Sequence, residues 1–110
     1  MDITTRDYKR VSVIRVTGRI DANTVSQFEA KLKEYVETDH LHLVFEADGT
    51  TYLNSSAVRV LISAQKALKP RGGRVVISQP SERVKEVLQI AGLESVMPVY
   101  DTTEAAVGAF

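Results

Sequence analysis

The stretch TTYLNSSAVRVL, Thr50–Leu61, changes character at its two adjacent serines: β-type residues precede Ser55 and Ser56, and helix formers follow them. A chain passing from extended backbone into a helix is expected here. Asn54, Ser55 or Ser56 can satisfy the free amides of the first helical turn, a role worth about 1 kcal/mol. Val58, Leu61, Ile62, Gln65 and Leu68 then fall along one stripe, which predicts a helix over Ser56–Lys69, ended by Pro70 with Gly72 and Gly73. Ahead of the serines, Ala47–Leu53 reads as a loop. His40–Glu46, HLHLVFE, alternates and then becomes continuously apolar, as a central strand does.

Working outward, Val11–Thr17 (VSVIRVT) reads as a strand, with Met1–Tyr8 as an antiparallel partner across the charged turn Asp7–Arg10 and Gly18–Asp21 closing the strand. Asn23 or Thr24 can cap a helix whose apolar positions are Val25, Phe28, Leu32, Tyr35 and Val36, stopping near Thr38-Asp39. After the central helix, Arg74–Ser78 reads as a short buried strand, and Pro80-Ser81-Glu82 opens a helix with Val84, Val87, Leu88 and Ala91 inward and Gly92 as its stop. A short strand near Val96–Tyr100 and a small helix behind the capping box Asp101–Glu104 complete the chain. The order ββαβαβαβα predicts an α/β fold, with a mixed, mainly parallel sheet of about five strands and about four helices joined by right-handed crossovers.

The 110 residues suit one domain, residues 1–110, because a second core needs more chain. Fourteen basic and fourteen acidic residues cancel, so no field of one sign draws the chain to nucleic acid or an anionic membrane. Cysteine is absent, which excludes disulfides, thiolate metal sites and cysteine nucleophiles. No apolar run approaches the roughly 20 residues of a membrane span, and MDITTRDYKR lacks the plan of a secretory signal; a cytoplasmic location is the expectation.

Candidate chemistry is sparse. A nucleophilic serine on a strand-to-helix turn needs the G-x-S-x-G elbow, whereas Leu53 and Ala57 stand two positions from Ser55. His40 and His42 begin the strand before the loop, about a strand length from the carboxyl ends where ligands collect. They supply two metal ligands with no third evident nearby. Gly72-Gly73 lies in no phosphate-binding glycine pattern and is accounted for as a helix stop. These features predict no catalysis, no metal and no cofactor. The serine pair fits two readings equally: capping alone, or capping combined with a phosphorylation switch at a helix end that favours added negative charge.

The frame Gly18-Arg19-Ile20-Asp21, Leu43–Glu46, Tyr52–Val58 and Gly72–Ile77 resembles the STAS domain of bacterial anti-sigma factor antagonists across nearly the whole chain. That resemblance implies a small non-enzymatic domain that binds an anti-sigma factor with serine kinase activity and so releases a sigma factor. Phosphorylation of the first hydroxyl residue in the motif, here Ser55, ends the binding, and a serine phosphatase restores it. ATP enters only as the partner kinase's substrate. Asp21, Asn54 and Ser56 take the family's contacts near the site, with Ser78 and Gln79 on the neighbouring strand end; Asn23, Thr24, Ala57 and Arg59 complete the expected partner surface.

Three positions depart from the family pattern. Asn54 replaces the usual aspartate, which can keep the cap but loses a charge. Ala57 replaces glycine and is expected to add a methyl group on the partner's side, and Glu46 replaces a shorter carboxylate. An alternative within the same fold is an adaptor without a phosphorylation switch, in a stress-signalling or lipid-transport assembly.

Overall fold

The computed structural model describes all residues, 1–110, and shows a six-stranded mixed sheet with four α-helices. The elements are β1 (Asp2–Tyr8), β2 (Val11–Ile20), α1 (Val25–Glu37), β3 (His42–Glu46), β4 (Thr50–Leu53), α2 (Ser55–Leu68), β5 (Arg74–Ser78), α3 (Glu82–Ile90), β6 (Val99–Tyr100) and α4 (Thr103–Gly108). Strand order is β1-β2-β3-β5-β6; β1 is antiparallel to β2, and the other pairings are parallel.

The segment Ala47–Leu53, expected as a loop, holds the extra strand β4. Asp48-Gly49 interrupts the chain after β3, and Thr50–Leu53 resumes in the same direction beside the far end of β2, pairing with Gly18–Ile20. Thus β2 does not end at Thr17. It continues through a register shift at Gly18/Arg19, where Gly18 takes a φ of 105° open to glycine. Only four residues long, β4 lacks the sustained alternation that marks a strand in sequence.

Alternation in the sheet divides two cores. Ile14, Phe45 and Ile77 face α1, α2 and α3, where Phe28, Leu61 and Leu88 complete the main core. Val13, Val44 and Val76 face the other way onto α4 through Ala106. Along α2, the buried residues Ala57, Val58, Leu61, Ala64 and Leu68 form the inward stripe. Full burial of a leucine such as Leu61 stabilises the fold by about 1.5–3 kcal/mol. Ala91, expected inward, is instead exposed and follows the last residue of α3 as its C-cap.

Gly72 and Gly73 do separate work. Gly72 takes the left-handed φ of 80° that ends the turn Lys69–Arg71, while a Cβ on Gly73 would lie 2.2 Å from the Leu41 carbonyl oxygen. No helix is long and apolar enough to cross a membrane.

Candidate functional site

Two strand-to-helix passages lie side by side at the carboxyl ends of β2 and β4, the end of an open α/β sheet where binding surfaces form. The β2–β4 pairing joins them, and the Asn54 amide donates to the Ile20 carbonyl at 3.1 Å. The turn Asp21–Thr24 and the helix start at Asn54 thereby leave the same end of the sheet from paired strands.

In the first passage the Asp21 carboxylate accepts the Asn23 amide at 3.0 Å. The Thr24 hydroxyl accepts the Asp21 amide at 2.9 Å and lies 2.7 Å from the Arg19 carbonyl, to which it donates. Thr24 stands at the N-cap of α1, but its side chain closes this turn and caps no helix amide. The Asn23 amide, with the Thr24 hydroxyl and the Arg19 guanidinium, holds the Asp21 carboxyl below its ordinary value, against partial desolvation. The ionised form is therefore favoured in the fold. That contribution is present above the ordinary aspartate value of about 3.9 and is lost as pH falls through the depressed one.

In the second passage Asn54, in extended backbone, accepts the Ala57 amide on its side-chain oxygen at 2.9 Å. Asparagine thus keeps the cap without a formal charge. Ser55 is the first residue of α2; it is exposed, and its hydroxyl makes no hydrogen bond within the chain. The Ser56 hydroxyl accepts from Arg59 at 3.1 Å.

Tyr52, Arg19 and Arg83 belong to the same face and were not anticipated. Across the β2–β4 pair the Arg19 guanidinium lies 4.4 Å from the Tyr52 ring centroid, and Arg83, from α3, lies 5.7 Å from it. Reading Thr50–Leu53 as loop concealed the Arg19–Tyr52 register, which only a strand there would have revealed.

Two expected partner contacts, Ala57 and Ser78, are corrected by burial, while a third, Gln79, is engaged within the chain. Ala57 is fully buried within the main core, so its methyl group packs under α2 and not on the outer face. Ser78 is also fully buried: the alternation that sends Val76 toward α4 sends Ser78 there too, 2.9 Å from the Thr103 hydroxyl. Gln79, at a φ of 51°, accepts from the same hydroxyl at 2.7 Å and is only partly exposed. Both belong to a cluster under α4, where Arg6 holds the buried Glu46 carboxylate through both oxygens at 3.1 Å, and Thr103 bonds it as well. The longer reach of glutamate at position 46 is spent there, away from Ser55.

His42 opens β3 and packs its ring 4.9 Å from Phe110; His40 precedes it, with its ring 4.6 Å from Tyr35. The two rings stack on different neighbours at the amino end of β3, whereas Ser55 follows the carboxyl end of β4.

Against known proteins, a model described as the STAS domain matches residues 2–106. BtrV of Bordetella bronchiseptica, named as a candidate anti-sigma factor antagonist, is 30% identical over 93 residues, covering 84% of this chain and 80% of that protein. The solved structure of the anti-sigma factor antagonist SpoIIAA in its unphosphorylated form superposes with a TM-score of 0.83 at 25% identity, covering 96% of this chain and 93% of that one. An anti-sigma factor antagonist from Mycobacterium paratuberculosis reaches a TM-score of 0.90 at 23% identity, with 98% and 92% covered, which speaks to the fold.

Proposed function

The chain belongs to the STAS domain family, and from that premise we propose that it is an anti-sigma factor antagonist that binds an anti-sigma factor with serine kinase activity until Ser55 is phosphorylated. The observation that carries the reading is the spare hydroxyl of Ser55. Asn54 has taken the cap, so the exposed oxygen beside it has no structural task. The relatives' names support an anti-sigma factor as the partner, and the turn at Asp21–Thr24 adds polar groups at the same end of the sheet. In this reading the chain contributes a surface and an acceptor, the kinase contributes ATP and catalysis, and a serine phosphatase reverses the modification. All three act in the cytoplasm.

The energetics set a condition on where Ser55 must sit in the complex. Reversing a partner from 99:1 bound to 1:99 takes about 5.5 kcal/mol. A charge on an exposed rim is worth only about 0–1 kcal/mol, whereas disrupting a desolvated charge-sensitive contact costs about 2–5 kcal/mol. Ser55 must therefore lie inside the contact area.

Incubation with the cognate kinase and ATP should add one phosphate at Ser55. Ser55→Ala should bind the kinase and stay unmodified, and Ser55→Asp should bind weakly. An unmodified Ser55 peptide, with the kinase demonstrably active, refutes the switch. A stable complex indifferent to Ser55→Asp would instead identify an adaptor.

A further inference from the structure

Between α2 and α3 runs an open groove of about 440 Å³ whose lining includes Tyr52, Ser55, Val58, Arg59, Arg83 and Ile90, and no carboxylate. Its charge is one-sided in a chain whose total is zero. Arg59 lies one helical turn beyond Ser55, at the i,i+4 spacing that brings Cβ atoms within about 5–6 Å. Its guanidinium already turns toward the start of the helix, where its hydrogen bond is to the Ser56 hydroxyl and to no acid. Arg83 enters from α3 with 56% of its side chain exposed, and its one ion pair, with Glu86 at 3.5 Å, is itself open to solvent. An exposed pair of that kind is readily exchanged for a stronger anion.

Resting on the phosphorylation reading above, we propose that Arg59 and Arg83 form a receptor within the chain for the phosphate of Ser55. A phosphoserine brings about −1.5 to −2 charges and three strong acceptor oxygens, which matches two guanidinium forks in both charge and donor count. Modification then has a double effect on this face. It adds bulk at Ser55, and it withdraws the two exposed guanidinium groups that unmodified protein offers an approaching partner. The groove passes from doubly positive to nearly neutral, so a partner's acidic groups lose their attraction before any repulsion is needed.

The test needs no kinase. Protein carrying phosphoserine at position 55, installed by semisynthesis, is titrated by phosphorus NMR beside the same protein with Arg59→Gln and Arg83→Gln, singly and together. A free phosphoserine has its second pKa at about 6. The receptor predicts a value lower in the native sequence than in the double variant by at least about 0.5 unit, with each single variant between them. Field effects of the helix are common to all four proteins and cancel in the comparison. Because both arginines are exposed, the variants keep the core, which amide spectra verify. Equal pKa values in native and double-variant protein overturn the receptor, and a shift carried by Arg59 alone removes Arg83 from it. Either result leaves the kinase reading standing, since that reading fails only in the phosphotransfer assay.

Discussion

Asn54 accepts the Ala57 amide and leaves Ser55 unengaged, so the cap and the candidate acceptor can be separated by mutation. Asn54→Ala is expected to cost about 1 kcal/mol, seen as a lower urea midpoint at unchanged slope, while Asn54→Asp should hold the midpoint. An unchanged midpoint in the alanine variant would mean that another group caps α2. At this scale the sequence reading located the right residues but could not assign the cap among three neighbours, because Asn54, Ser55 and Ser56 all have the chemistry and the choice depends on where the backbone turns. Ala57 and Ser78 were misjudged for one reason: nearness in sequence or at a strand end does not say which way a side chain points. One step along a helix or strand is enough to move a residue from surface to core.

Elements were legible where periodicity is long and obscure where it is short. The stripe of α2 and the apolar run of β3 announced themselves, and the helix began one residue before the expected Ser56. β4 was missed because its four residues owe their conformation to β2, a partner distant in sequence. The passage from α2 to β5 offers a sharp test of element packing. Gly73→Ala places a methyl group against the Leu41 carbonyl, an overpacking expected to cost about 1–3 kcal/mol, whereas Gly72 has open space and is constrained only by its φ. Thermal unfolding of Gly73→Ala at or above the native midpoint would show that the start of the β3–β5 pairing yields without strain.

For the whole molecule, the proposal separates stability from signalling. The core lies beneath α1, α2 and α3, and Ser55 stands outside it, so Ser55→Asp should change unfolding free energy by no more than about 0.5 kcal/mol while changing partner affinity far more. A large loss of stability in that variant would recast the switch as local unfolding. The overall α/β architecture was readable because each helix stripe and buried strand makes its own case. The candidate face was only half readable, since Arg19, Tyr52 and Arg83 converge from three elements and share no motif. That convergence has an optical consequence. The chain has no tryptophan, and Tyr52 lies close to two guanidinium groups at the edge of the candidate interface. An indole substituted for that phenol would be the sole red-edge fluorophore, and its emission would register partner docking directly in a cuvette.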